Sequence, residues 1–98
     1  MKNSFFIELN MKTLEGFERY GCFDLGEDKE FAVKLFSSLE GREAGDDCSM
    51  LHMDLTERYM GLPVNKRVIG CSVDELSRNV KTITRELFKR LSLDETSA

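Results

Sequence analysis

Residues 51 to 57, LHMDLTE, repeat the pattern of residues 7 to 13, IELNMKT. Both stretches alternate apolar and polar side chains, and a glycine follows each closely. Alternation with period two is the mark of a strand with one buried face. The first such strand covers FFIELNMKT, residues 5 to 13, with Phe5, Ile7, Leu9 and Met11 facing one way. Glu8, Asn10 and Lys12 face the other way, together with Phe6. LEGF then makes a glycine-containing turn, and FERYGCFDL, residues 17 to 25, returns as a second strand with Phe17, Phe23 and Leu25 in phase. Gly21 shares that phase, which marks a bulge or a close backbone approach.

The period then changes. Phe31, Ala32, Leu35, Phe36 and Leu39 recur at helical spacing within residues 27 to 41. Acidic residues crowd the first turn, where the helix dipole favours them, and Gly41 stands where a helix stops. GREAGDDCS reads as a surface loop. Leu51, Met53 and Leu55 restart the alternation, RYMGLP turns the chain, and Pro63 limits how early the next strand starts. VNKRVIGC, residues 64 to 71, is the fourth strand, although Lys66 breaks its alternation. Ser72 and Glu75 form the S-x-x-E capping box of a second helix whose apolar stripe is Leu76, Val80, Ile83, Leu87 and Leu91.

The expectation is therefore an α+β two-layer sandwich in a single domain, residues 1–98, built as a ββαββα pseudo-duplication. One ββα unit covers residues 5–41, the second covers 49–92, and residues 93–98 fray. A hairpin and one helix cannot bury a face alone, so two units share a four-stranded antiparallel sheet with both helices on one side. The cleanest alternation, in the first and third strands, places them centrally and gives strand order 2-1-3-4. A βαββαβ arrangement would need TLEGFERYG to be helical, and its glycines and aromatics oppose that.

Composition is ordinary for a globular chain, at 41% hydrophobic and 33% charged. No apolar run approaches the ~20 residues of a membrane helix, and Glu8 and Asn10 interrupt the N-terminal apolar stretch too early for a secretory signal. Three cysteines without paired spacing, Cys22, Cys48 and Cys71, point to a reducing cytoplasm and not to a disulfide framework. The net charge of −4 disfavours a generic nucleic-acid binder. Residues 1 to 50 hold 6 Lys/Arg against 11 Asp/Glu, whereas residues 51 to 98 hold 8 against 7. Such asymmetry suits either a partner surface or a solvated one.

Three groups of residues are candidates for function. His52 is the only histidine and lies near Cys48 in sequence. Four residues of extended strand span ~13 Å, so a shared metal would require Cys48 to bend back, with Asp46, Asp47 or Cys71 joining. Without a C-x-x-C pair, no metal and no cofactor are expected. A Cys–His nucleophilic pair needs spatial contact that spacing does not supply. The second group is the open sheet face, expected to present Glu8, Asn10, Lys12, Glu18, Tyr20, Cys22, His52, Asp54 and Thr56. Such a face either meets water or meets a ligand or partner. The third is the outer face of the second helix, where Arg78, Lys81, Arg85 and Lys89 form a basic band that reads either as solvated or as a docking surface.

No P-loop, G-x-S-x-G, H-E-x-x-H or dinucleotide fingerprint occurs, and no catalytic residue is assigned. The leading expectation is a cytoplasmic, non-catalytic interaction module that associates with itself or a protein partner, through edge strands or the sheet face. The alternative is weak binding of nucleic acid or an acidic partner by the basic helix face. An enzyme built on the open face around His52 ranks last.

Overall fold

The computed structural model describes residues 2–43 and 49–96. Its elements are β1 (Ser4–Thr13), β2 (Gly16–Gly26), α1 (Lys29–Ser37), β3 (Arg42–Glu43), β4 (Leu51–Tyr59), β5 (Leu62–Cys71) and α2 (Val73–Thr96). The α+β class is as expected. The four long strands follow the expected order, but the sheet has five strands, β2-β1-β4-β5-β3, all paired antiparallel.

Asn79 and Gly41 account for the additional strand. Asn79 is 1% exposed and clamps Glu40, in the connection that follows α1, from both sides. Its Oδ1 accepts from the Glu40 N–H at 2.8 Å, and its Nδ2 donates to the Glu40 carbonyl at 2.7 Å. Gly41 then passes so close to β5 that a Cβ there would lie 2.9 Å from the Gly70 carbonyl oxygen. Only glycine allows that approach, and Arg42 and Glu43 pair with Gly70 and Ile69 beyond it. Nothing among the described residues of the second half corresponds to this clamp. The halves differ further in that α1 has 9 residues and α2 has 24, so the expected duplication does not hold in detail.

Helix α1 is shorter than the 27–41 expected from periodicity. Asp28 caps its start by accepting from the Phe31 N–H at 3.1 Å. It closes at Ser37 because the Ser38 N–H and hydroxyl both donate to the Leu35 carbonyl, well before Gly41. The capping box of α2 forms as read: the Ser72 N–H donates to Glu75 at 2.9 Å, and the Glu75 N–H donates to Ser72 Oγ at 3.1 Å. The helix continues to Thr96, into the stretch expected to fray, and residues 97–98 lie outside the described residues.

Both helices cover the sheet face that carries Phe5, Ile7, Leu9, Met53, Leu55 and Ile69, contributing Ala32, Leu35, Phe36 and Ile83 to one core. Of the expected core positions, Phe17, Met11 and Leu91 lie outside it. Met11 is 42% exposed near the end of β1, and Leu91 is 62% exposed on the last turns of α2. At ~1.5 Å per residue, α2 is long enough to outrun the sheet beneath it. Among the described residues, no helix is long and apolar enough to cross a membrane.

The largest departure from the expected pattern is a bulge in β2. Leu9 opposes Gly21 but Asn10 opposes Arg19, leaving Tyr20 as an extra residue. One extra residue reverses the facing of everything before it. Phe17 and Arg19, opposite Lys12 and Asn10, therefore join the open face, and Glu18, opposite Met11, goes to the helix side. Gly21 serves both roles expected of it: it adjoins the bulge, and a Cβ there would lie 3.0 Å from Leu9 Cδ1.

Candidate functional site: the open face of the sheet

The face opposite the helices is polar, yet three of its side chains are buried as deeply as the core. Glu8 is 6% exposed, Asp54 5% and Thr56 2%. Among the described residues, no layer of secondary structure covers them. Long side chains from neighbouring strands lie across them instead.

Glu8 is the centre of this cover. Its Oε1 accepts from the Thr56 hydroxyl at 2.9 Å. Its Oε2 accepts from Arg19 at 2.6 Å and from Arg58 at 3.3 Å. Arg58 also lies over the Phe6 ring, 5.7 Å from its centroid. Burial pushes the Glu8 carboxyl up, but the hydrogen bonds from Thr56, Arg19 and Arg58 outweigh burial and hold it below the usual carboxylate range. Without the Tyr20 bulge, Arg19 would lie on the wrong side of the sheet for this contact.

Asp54 stands directly opposite Glu8 in the β1–β4 register. Its Oδ2 pairs with Lys66 Nζ at 3.1 Å, while its buried Oδ1 accepts no hydrogen bond. Lys66, whose charge broke the alternation of β5, thus points onto this face towards a carboxylate. Next along the strand, the His52 ring stacks on Phe17 with centroids 4.1 Å apart and planes 20° from parallel. The bulge is again responsible, since it turns Phe17 to this side. Asn10 is opposite His52, and the group borders an open hollow of about 280 Å³ lined by Asn10, Phe17, His52, Asp54, Lys66 and Val68.

The structure thus brings Glu8, Asn10, His52 and Asp54 onto the face where they were expected. Cys22 is there too, beside Glu8, with its thiol pushed up by burial and then by the Glu8 charge. Tyr20 departs from that set, because it is the bulged residue. Its phenol is pushed up by burial and then by Cys71, a residue of the helix-covered side. Burial pushes the Cys71 thiol itself up to about 11, and its Sγ lies near Asn79. Neither described thiol is primed as a nucleophile, and neither stands beside His52. Asp46, Asp47 and Cys48, considered as metal ligands, lie outside the described residues. Among the described residues no cluster of three His, Cys, Asp or Glu side chains could hold a metal ion.

The basic band on α2 is more neutral than its sequence. Arg78 makes a two-pronged contact with Glu40 at 2.7 and 2.9 Å. Arg85 and Lys89 lie 3.5 and 3.6 Å from Glu86, and among the described residues of this band only Lys81 has no ion pair. A larger concavity, about 860 Å³, lies elsewhere, between the ends of β1 and β4 and the start of α2. Met11, Met50, Leu51 and Val73 line this open trough together with Asp74, Glu75 and Arg78, and among the described residues no buried carboxylate, histidine or amide faces it. The open face is the candidate site because its polar groups are buried and held.

The fold and face define a small two-layer α+β protein with a preorganised polar sheet surface. The chain matches no known protein family, no curated protein and no solved structure.

Proposed function

We propose that this chain is a non-catalytic interaction module that works in the cytoplasm and associates with itself through the open sheet face. The supporting observation is the burial of Glu8, Asp54 and Thr56 on a face that no helix covers. Side chains fixed in this way lose little further entropy on binding, which favours recognition.

Both sheet edges are less suited to pairing than the sequence suggested. Edge strand β2 is bulged at Tyr20 and again at Leu25. Strand β5 carries Pro63, a bulge at Val64, then Lys66 and Arg67, and β3 covers its far end. Proline, bulges and edge cations are all devices that oppose strand-to-strand association. The face, by contrast, nearly balances its charge, with Lys12, Arg19, Arg58 and Lys66 set against Glu8, Asp24 and Asp54. Two copies can therefore meet there without the repulsion implied by a net charge of −4. Four strands of about ten residues each project on the order of 600 Å², close to the ~800 Å² per partner of a standard interface.

Light scattering across a dilution series tests this reading. The wild type should dissociate on dilution, and Phe17→Glu should be monomeric throughout. A wild type that is monomeric at the highest concentration removes the self-association claim.

A further inference from the structure

The 280 Å³ cavity beside Asp54 has a specific chemistry. Asp54 is 5% exposed, and its Oδ1 is buried without a donor. A buried carboxylate oxygen in that state is costly, and the missing donor defines what would relieve the cost. Lys66 Nζ contacts only the other oxygen and retains N–H groups to donate elsewhere. A second cation in the cavity would meet Lys66, and an anion would meet Asp54 with Glu8 directly opposite it. The group that suits both ends is neutral and both donates and accepts. Phe17, 46% exposed and stacked on His52, adds a flat apolar wall.

We propose that this cavity recognises a flat, neutral primary amide. The amide N–H₂ donates to Asp54 Oδ1, its carbonyl accepts from Lys66 Nζ, and its plane lies along Phe17. Because Oδ1 is sealed from water in the unliganded chain, the amide enters by turning the Lys66 side chain aside, which at 54% exposed is free to move. The cavity is smaller than the ~300–1,000 Å³ of ordinary ligand pockets and so takes a fragment or one side chain, not a cofactor. The inference rests on reading the open face as a recognition surface, but not on a second copy being the partner. The amide has two sources of the same chemistry, the glutamine or asparagine side chain of a protein partner and a free small amide.

Four probes of nearly one shape separate the possibilities: benzamide, N,N-dimethylbenzamide, benzoate and benzamidine. Each is titrated into the isotopically labelled full chain and followed by amide chemical shifts. Benzamide should move the Phe17, Asp54 and Lys66 signals at millimolar concentration. The dimethyl, anionic and cationic probes should bind at least tenfold more weakly. Asp54→Ala and Phe17→Ala should each weaken benzamide at least tenfold while keeping a dispersed spectrum. If Asp54→Ala does not fold, Lys66→Met, a change to an exposed side chain, serves in its place with the same expected loss. N-acetylglutamine methylamide identifies the source: binding tighter than acetamide points to a protein side chain, and preference for benzamide points to a small aromatic amide.

Equal binding of all four probes, tightest binding of benzamidine, or no shift at saturating benzamide would each overturn the proposal. If the probes fail while the wild type still dissociates on dilution, the face remains an interface and only the amide pocket is lost. If benzamide binds a chain that is always monomeric, the pocket stands and self-association falls.

Discussion

Glu8 and Asp54 occupy the same rung of the sheet, on adjacent strands, and are equally deep. Their surroundings differ sharply. Three side chains donate to Glu8, two of them charged, and both its oxygens are used. Asp54 has one lysine on one oxygen and nothing on the other. The Glu8 end of the face is complete in itself, whereas the Asp54 end leaves bonding capacity unfilled. A fully satisfied buried network fixes structure, and a partly satisfied one is where a ligand or partner has most to add. The face therefore divides into a structural half and a receptive half, and the bulge at Tyr20 supplies a residue to each, Arg19 to one and Phe17 to the other.

Replacing both arginines over Glu8, in the double variant Arg19→Met with Arg58→Met, is the most drastic way to break this comparison. Glu8 would then keep only the Thr56 hydroxyl and stand as a buried carboxylate with no cation beside it. Stability should fall by about 3 kcal/mol or more, since a buried charge is left uncompensated. Urea denaturation gives the value. A double variant close to the wild type in stability would show that water reaches the Glu8 carboxylate and that the arginines are not what holds it.

Glu8→Gln tests the complete half alone. Glutamine keeps the shape and loses the charge that Arg19 and Arg58 answer. The two arginines are partly exposed and regain water, so the expected loss is about 2 kcal/mol near neutral pH, not the larger cost of a fully buried pair. The variant should also change the pH profile. The folded-state pKa of Glu8 is depressed, so its stabilisation is fully present above the unfolded-state pKa. It is lost as pH falls through the folded value, below the ordinary carboxylate range. Asp28 and Glu40 are depressed as well, by Phe31 and Arg90 and by Arg78 respectively, and act in the same acid window. The difference between wild type and Glu8→Gln across that window isolates the part due to Glu8. Identical acid limbs in the two proteins would show that the network contributes nothing through charge.

Much of the scaffold was legible in the sequence, because alternation and capping are local. The face of β1 and the capping box at Ser72 and Glu75 follow from residues within a few positions of each other, and the order of the long strands follows from the shared alternation of β1 and β4. What was not legible depends on chain segments far apart. The Tyr20 bulge is a mismatch between two strands, and only Gly21 hinted at it. The short strand β3 depends on Asn79 gripping Glu40, 39 residues away, a contact no periodicity encodes. The site suffered in the same way. Parity placed Glu8 and Asp54 on the open face correctly, but an acidic residue facing away from the core reads as solvated. That Arg19, Arg58 and Lys66 would converge over them was visible only once strand pairing was known. Lys66 carried a signal, since a cation interrupting the alternation of a strand is a reason to look for a buried anion across the sheet.

Asp54→Asn tests the receptive half and should have the smallest effect. The substitution removes the attraction between Asp54 and Lys66, but Lys66 is more than half exposed, and exposed pairs contribute little. It also removes a charge directly opposite Glu8, a juxtaposition that opposes folding. Asparagine keeps the size of the side chain and leaves a polar atom at the buried position, so that position contributes little to the difference. These terms nearly cancel, and the variant should lie within about 0.5 kcal/mol of the wild type. The double variant with Glu8→Gln sharpens the comparison further. With Glu8 neutral, Asp54 no longer faces a like charge, so replacing it brings no relief. The two changes together should cost more than the sum of each alone, by on the order of 0.5–1 kcal/mol. Additive effects would mean that the arginines over Glu8 already screen it from Asp54. A loss from Asp54→Asn as large as that from Glu8→Gln would show that Asp54 is a structural residue after all.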